Sequence, residues 1–244
     1  MNSLWSILLI WITATLPTKA TEEEKLRKLG AAIFTTNGVV SEINLNRSKI
    51  TNAELKMLTT FHNLKDLSLE QTQISDEGLH YLSKLSKLEW LNLFKSQVGD
   101  DGMAQLIKLE SLQYLPIGKT KVTDAGLIHI KKIKSLKYLG LRGTKVTDQG
   151  LKHLSEHPKL SELHLGETSI TDQGIKALSQ LVKLKKLWLH DTKITDKSVT
   201  SLRDLKNLRS LYIYRSKLSI DGIQKLQKQL PECQIFYRSE NIAE

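Results

Sequence analysis

The sequence predicts an α/β solenoid in which short parallel strands line a concave face and helices lie outside it. Three observations predict this class: an unbroken repeat, a strand-like alternation that opens each repeat, and an amphipathic helical segment that follows it. Neither half of such a unit can bury its apolar side alone, so we expect the units to stack. The leucines that open successive units, 24 residues apart, are Leu64, Leu88, Leu112, Leu136, Leu160, Leu184 and Leu208.

The composition is that of an ordinary globular protein. The chain has 244 residues, 40% of them hydrophobic and 25% charged, with 13 Gly and 4 Pro, which excludes a disordered or collagen-like chain. Its one cysteine, Cys233, excludes an intramolecular disulfide framework and any multi-cysteine metal site. A net charge of +10 admits an acidic partner such as nucleic acid, anionic glycan or a membrane surface.

Residues 1–20 are predicted to be a secretory signal peptide. An uncharged, mostly apolar run over residues 4–16 is shorter than the roughly 20 residues that span a bilayer. The small residues Thr18 and Ala20 suit a cleavage site. No Lys or Arg precedes the apolar run, so an uncleaved anchor is the alternative. We therefore expect an exported chain, periplasmic or secreted, with no transmembrane span after signal removal.

Residues 21–39 are predicted to cap the first repeat with a helix and a hairpin. Leu26 and Leu29 give the first part an apolar side, and Asn37-Gly38 lies between two apolar runs, which is a strong hairpin signal. A solenoid exposes its core at each terminus, so a cover is needed there.

Eight units of 24 residues are predicted over residues 40–231. In the unit that Leu136 opens, Leu139 and Leu141 alternate with polar or small residues as in a half-buried strand. Thr147 or Asp148 then stands where a helix N-cap is expected. Residues 232–244 are predicted to be a closing strand and tail, with Cys233 as part of this cap because no motif places a catalytic base for it.

Three near-identical segments carry a resemblance to a known family: TDAGL at 123–127, TDQGL at 147–151 and TDQGI at 171–175. Residues 40–237 resemble the leucine-rich repeat family, in particular bacterial secreted members with the 24-residue unit TDxGLxxLxxLxxLxxLxLxxTxV. The resemblance implies a right-handed curved superhelix with a parallel sheet on its concave face.

Many members of this family close the turn after the strand with an Asn ladder. Here hydroxyls replace the Asn and are expected to bond neighbouring turns, at Ser48, Thr72, Ser96, Thr120, Thr144, Thr168, Thr192 and Ser216.

Aromatic residues concentrate on the predicted concave face, which the third, fifth and seventh residues of each unit should form. Two ladders are expected, one of Trp90, Tyr114 and Tyr138 and one of Trp188, Tyr212 and Phe236. Such rings either stabilise the sheet or bind a partner, and we favour binding because Tyr and Trp add polar groups. A shallow groove floor is expected between them at Pro116, Gly118, Gly140, Gly143 and Gly166. The predicted partner-binding residues are Trp90, Phe94, Tyr114, Tyr138, Arg142, His164, Trp188, His190, Tyr212, Tyr214 and Phe236.

An acidic and histidine cluster is expected at the edge of that floor. Glu167 and Asp191 occupy equivalent positions in adjacent units, with His164 and His190 nearby. Such groups can hold a metal or act as acid and base, or they can form a solvated charge cluster. No catalytic motif accompanies them, so we predict no enzyme, metal or cofactor.

The basic charge is predicted to lie on two rims that flank a concave face of nearly zero net charge. One rim carries Lys49, Lys121, Lys145, Lys193 and Lys217. The other carries Lys65, Lys137, Lys185 and Arg209 against Glu89. Nucleic-acid binding is therefore disfavoured, because phosphate tracking needs a basic groove.

The predicted function is exported, non-enzymatic recognition of a protein or peptide by the concave aromatic residues. A cell-wall or anionic glycan is an alternative partner, because aromatic rings stack on sugar faces and basic rims attract uronate or sulfate groups. A second alternative comes from resemblance, since TDxGL units are similar to those of leucine-rich repeat adaptors in F-box ubiquitin ligases, which hold substrate. The predicted export of this chain argues against that second alternative. We also interpret the segment before the repeats as a cap rather than as an F-box.

Overall fold

The computed structural model describes residues 19–238 as ten strands in one sheet, with helices packed against one side of it. Residues 1–18 of the predicted signal peptide and residues 239–244 of the predicted tail lie outside the described residues.

Most repeats contribute a three-residue strand and one or two turns of helix. The strands are β1 Ala32–Thr36, β2 Val39–Asn44, β3 Asp66–Ser68, β4 Trp90–Asn92, β5 Tyr114–Pro116, β6 Tyr138–Gly140, β7 Glu162–His164, β8 Lys186–Trp188, β9 Ser210–Tyr212 and β10 Gln234–Phe236. The α-helices are α1 Lys19–Lys28, α2 Asp76–Leu82, α3 Asp100–Gln105, α4 Asp124–Ile130, α5 Asp148–Leu151, α6 Asp172–Leu178, α7 Val199–Leu202 and α8 Ile220–Gln229. Turns of 3-10 helix cover Glu54–Thr60, Leu106–Lys108 and Asp196–Ser198.

The strands lie side by side in sequence order, β1 to β10. β1 and β2 form an antiparallel hairpin, and every later strand is parallel to the one before it. Parallel partners are 24 residues apart, as Glu42 opposite Asp66 shows. The predicted α/β solenoid with a parallel sheet is therefore confirmed.

The core lies between the sheet and the helices. Its innermost column takes one aliphatic residue from each of the strands β2 to β9, all 0% exposed: Ile43, Leu67, Leu91, Leu115, Leu139, Leu163, Leu187 and Leu211. Because each strand alternates, its other two residues point to the opposite face of the sheet. We call that face the concave face.

Aspartate side chains tie each helix start to the next repeat. Each carboxylate accepts hydrogen bonds from both the backbone N–H and the hydroxyl of a residue 23 positions later, in the pairs Asp100–Thr123, Asp124–Thr147, Asp148–Thr171, Asp172–Thr195 and Asp196–Ser219. The threonine in turn is the N-cap of its own helix, as when Thr147 Oγ1 accepts from the Gln149 N–H at 3.3 Å. Thr147, rather than Asp148, is thus the N-cap of α5.

The glycine of the TDxG motif leaves room for this aspartate. A Cβ atom added to Gly150 would come within 3.0 Å of the Asp124 carboxylate, and Gly174 stands in the same relation to Asp148. Two repeats lack this glycine and have a 3-10 turn there: Glu54 takes its position in one and Ser198 in the other, where the turn precedes α7. The repeat motif therefore encodes a contact between repeats as well as a helix start.

The hydroxyl column after the strands acts within each repeat. We expected these groups to bond neighbouring turns, and that expectation is wrong. Five threonine hydroxyls donate to the carbonyl three residues earlier in their own unit at 2.6–2.8 Å: Thr72, Thr120, Thr144, Thr168 and Thr192. The hydroxyl is short and closes the turn locally, so the sheet ladder and the aspartate contacts join the repeats.

Candidate recognition face

Four rings stack across neighbouring strands at the C-terminal half of the concave face. His164 lies 5.4 Å from Trp188, Trp188 lies 5.2 Å from Tyr212, and Tyr212 lies 4.4 Å from Phe236, measured between ring centroids. The interplanar angles are 5–9°, so the rings are nearly parallel. All four are the fifth residues of their units, which the in-register sheet places side by side. The second predicted ladder is present and gains His164.

A second stack runs beside the first. His190 and Tyr214 lie 4.5 Å apart at 4°, and the Arg215 guanidinium carbon lies 5.0 Å from the Tyr214 centroid. The His190 and His164 rings are nearly perpendicular, with centroids 5.2 Å apart at 88°, and this contact joins the two stacks. The His190 side chain is only 1% exposed. His190 packs against both His164 and Tyr214, and its contact with a partner stays a prediction.

Tyr138 belongs to the C-terminal group of rings. Its ring and that of Trp188 are nearly perpendicular, with centroids 6.4 Å apart at 81°, and burial raises the pKa of its hydroxyl to about 12. The predicted ladder of Trp90, Tyr114 and Tyr138 is therefore wrong in its third member. Trp90 and Tyr114 do stack, at 5.2 Å and 27°. The sheet register sets which strands are neighbours, but side-chain torsions decide which neighbour a ring meets.

The expected groove floor is filled by side chains. A Cβ atom at Gly118 would meet the Phe94 ring at 2.9 Å, and one at Gly140 would meet the Tyr138 hydroxyl at 2.8 Å. The His190 ring occupies the corresponding space above Gly166. The expectation of an open floor is wrong, because these glycines let neighbouring rings lie flat on the sheet. The small residues thus serve the aromatic surface rather than interrupting it.

Ion pairs border the rings on the side where the strands end. Glu167 Oε1 accepts from Arg142 Nε at 2.8 Å, and Glu167 Oε2 lies 3.1 Å from Lys119 Nζ. Lys119 reaches past the intervening repeat, where Gly143 has no side chain to block it. The hydrogen bond from Arg142 is the main cause that lowers the pKa of Glu167.

Asp191 has a similar environment one repeat further on. Its two oxygens accept from Arg215 Nε and a terminal guanidinium nitrogen, both at 2.6 Å, and Oδ2 lies 2.9 Å from His190 Nδ1. The hydrogen bond from Arg215 is the largest of the effects that together lower the pKa of Asp191 to about 2. Burial lowers the pKa of His164 to about 3 and also lowers that of His190, so both histidines are neutral at pH 7.

The acid and histidine cluster has the spacing of a cation site, but basic side chains already pair with its carboxylates. One donor atom from each of Glu167, His190 and Asp191 lies within 4.8 Å of the others. The two carboxylates already face Arg142, Lys119 and Arg215. A metal ion would have to displace these cations, so the residues present fit a structural salt-bridge cluster better than a metal centre.

The charged residues that form these ion pairs lie at backbone positions with left-handed conformation. The eighth residue of the unit has a positive φ in every repeat: Arg47, Gln71, Lys95, Lys119, Gly143, Glu167, Asp191 and Arg215. This conformation is uncommon outside glycine and costs energy at each position. Sequence alternation alone does not signal it, although Gly143 in the same column is a hint. It sets the starting direction of the side chains that form the ion pairs.

The N-terminal half of the concave face is acidic and has two exposed rings. Phe34 pairs with Glu42 in the hairpin and is 51% exposed, and Trp90, which pairs with Asp66, is 38% exposed. Glu42, Asp66 and Trp90 line a recess of about 270 Å³. Burial, then the charges of Glu42 and Glu89, raise the pKa of Asp66. Sequence reasoning missed Phe34, Glu42 and Asp66 as site residues, and the hairpin register was the available signal for Phe34.

A family model described as a leucine-rich repeat region matches residues 42–242. The chain therefore belongs to the leucine-rich repeat family, and the predicted resemblance is confirmed. No curated protein matches the sequence.

Solved structures show the same fold at low sequence identity. A leucine-rich repeat protein of Leptospira interrogans is 21% identical with a TM-score of 0.55, over 81% of this chain and 60% of that one. Internalin C2 of Listeria monocytogenes is 24% identical with a TM-score of 0.55, over 74% of this chain and 81% of that one. The ectodomain of an Arabidopsis thaliana membrane receptor kinase, in complex with Casparian strip integrity factor 2, is 18% identical with a TM-score of 0.55. That match covers 84% of this chain and 25% of the ectodomain.

Among residues 19–238, no helix has both the length and the apolar character that a membrane crossing requires.

Proposed function

We propose that this chain is an exported, non-enzymatic recognition module that binds a protein or peptide across its concave face. The observation that carries the proposal is the joined set of rings over β6–β10, which half-buried Tyr138, His164, Trp188, Tyr212 and Phe236 form. Aromatic residues held rigidly on a sheet supply large contact area at little entropic cost. Export rests on the predicted signal peptide at residues 1–20.

The stacking favours a peptide over a glycan on this face. Trp188 has His164 against one face and Tyr212 against the other, and Tyr212 lies between Trp188 and Phe236. Sugars bind aromatic residues through open ring faces, whereas a peptide can pack on ring edges and bond to the indole and phenol groups. The Arabidopsis ectodomain, solved in a complex, is a precedent for partner binding by this fold.

The acidic recess gives the partner a chemical character. Among residues 19–238, neither Glu42 nor Asp66 takes part in an ion pair, in contrast to Glu162, Glu167 and Asp191. A basic side chain of the partner would place its charge between these carboxylates and its stem against Trp90. Burial first, and then the charges of Glu42 and Glu89, raise the pKa of Asp66, and a cation in the recess would stabilise the charged carboxylate against both effects. We therefore propose a partner with an Arg or Lys that reaches the recess.

Selection of peptides from a displayed random library on immobilised protein tests the proposal. We expect enrichment of Arg or Lys, and Trp188→Ala or Trp90→Ala should weaken the selected peptides at least tenfold, as truncation of central aromatic anchors commonly does. Ile128→Ala is the matched control, because Ile128 is 47% exposed on α4, away from the concave face.

Urea denaturation of each variant shows whether weaker peptide binding comes from a lost contact or from a destabilised fold. Unchanged affinity of both tryptophan variants would contradict the proposal. If Glu42→Gln with Asp66→Asn leaves affinity unchanged, the concave face is kept as the site and the basic partner residue is rejected.

A further inference from the structure

A lysine-rich recess lies on the rim where the strands begin, away from the concave rings. It has a volume of about 440 Å³. Its lining residues are Lys137, Lys159, Ser161, Lys183, Lys185 and Asn207. Lys137 and Lys185 belong to the basic rim predicted from the sequence. Lys159 and Lys183 are the last residues of their units. The loop before each strand places them beside the basic rim.

Among residues 19–238, no carboxylate pairs with any of the four lysines. Within the described part of the chain, none of them forms an ion pair, whereas Lys186, the next residue after Lys185, pairs with Glu162 at 3.3 Å on the concave face. Toward the N-terminus, Glu89 and Glu110 line an adjoining recess, which Lys137 and Lys159 also border. The rim therefore changes sign along the solenoid. Lys183 and Lys185 line only the basic part of it.

The sheet holds this rim in a fixed register. The Ser161 N–H donates to the Lys137 carbonyl at 2.9 Å, and the Lys185 N–H donates to the Ser161 carbonyl at 2.7 Å. Asn207 Nδ2 donates to the Val182 carbonyl at 2.6 Å, which ties the neighbouring loops together. Successive rim residues are thus spaced by the distance between strands, about 4.8 Å. Lys137 and Lys185 lie on either side of Ser161, and Lys159 and Lys183 precede neighbouring strands, so three consecutive repeats bring four lysines to one recess.

We propose that this rim is a second binding site, for a carboxylated or sulfated polysaccharide chain. Closely placed, unpaired lysines repel one another, and an anion with regularly repeated charges relieves that repulsion at several points. No aromatic residue lines the recess, so the ring stacking on which single-stranded nucleic-acid binding depends is not provided. This site is independent of the concave-face proposal, since the two share no residue.

Binding of dextran sulfate and of polygalacturonate to the folded protein, measured by calorimetry against neutral dextran, tests the proposal. We expect both anionic polymers to bind and neutral dextran not to bind, with affinity that falls as NaCl rises. Lys183→Gln with Lys185→Gln should weaken binding about tenfold, because two of four charge contacts are lost.

Lys193→Gln with Lys217→Gln is the matched control. Both residues are exposed on the opposite rim, so the change in net charge is identical. An equal loss in the two double variants would overturn the proposal, because net charge alone would then explain binding. Tighter binding of phosphatidylserine vesicles or of a single-stranded oligonucleotide, lost in Lys183→Gln with Lys185→Gln, would also overturn it by assigning the rim to another partner.

Discussion

At the scale of single residues, Asp191 shows how the concave border is stabilised. Its carboxylate joins Arg215, in the next repeat, to the buried His190 that supports Tyr214. The charge of Asp191 therefore contributes to the position of rings that we assign to recognition. From the sequence alone this carboxylate could belong to a metal site or to a charge cluster, and we predicted no metal. A side chain's partner depends on torsions that alternation does not specify.

Asp191→Asn should lower the free energy of unfolding at neutral pH. The folded-state pKa of Asp191 is about 2, below its ordinary value of 3.8. Its stabilising contribution is therefore present above about pH 4 and is lost as the pH falls toward about 2. Urea titrations from pH 7 to pH 2 should show the wild-type and variant proteins converging at the acid end. Asp204→Asn, at a side chain 54% exposed, is the control and should change stability little. A constant difference across the range would contradict the assignment.

At the scale of the element, the aspartate contacts connect each helix start to the next. Asp148 accepts from the N–H of Thr171 at 2.9 Å and from its hydroxyl at 2.5 Å, while Gly174 leaves the space that the carboxylate fills. The helices themselves are too short to be stable alone; α5, for example, has 4 residues. Contacts from the neighbouring repeat must therefore supply part of their stability.

Asp148 and Gly174 should be energetically coupled. Asp148→Ala leaves the Thr171 groups without their acceptor and should cost about 1–3 kcal/mol. Gly174→Ala crowds the carboxylate and should cost a similar amount, about 1–3 kcal/mol. Because Asp148→Ala removes the carboxylate that the methyl group added by Gly174→Ala would meet, the double variant should lose less than the sum. Urea denaturation of the four proteins measures this coupling, and additive losses would show that the glycine has another role.

At the scale of the whole molecule, stability is distributed over nearest-neighbour contacts between repeats. Each strand pairs only with the strands of adjacent units, in register at every step from β2 to β10. Such a solenoid can lose a whole unit and still present a continuous core to the next one. It cannot lose half a unit, because a helix would then occupy the position of a strand.

Deletion of residues 136–159 should leave a cooperatively folding protein with a smaller urea m-value, since less surface is exposed on unfolding. Deletion of residues 136–147 removes half as much chain but should abolish the cooperative transition. Circular dichroism during urea titration measures both. Equal behaviour of the two deletions would contradict a stability that depends on the 24-residue register.

The sequence by itself determined the architecture. The spacing of Leu64, Leu88 and the later leucines predicted the strands, their parallel order and the side of the sheet that is buried. These properties follow from local alternation repeated without insertion, and in-register stacking is the arrangement that buries every apolar column. The aromatic rows were predictable for the same reason, since they occupy fixed positions in the unit.

The tertiary structure alone decided what those side chains contact. Tyr138 meets Trp188 instead of Tyr114, Phe94 covers Gly118, and Lys119 reaches Glu167 past Gly143. Each contact depends on side-chain torsions and on the empty volume that a neighbouring repeat leaves, neither of which the pattern of one unit contains. The repeat therefore specifies the scaffold, and the departures from the repeat shape the recognition face and the lysine rim.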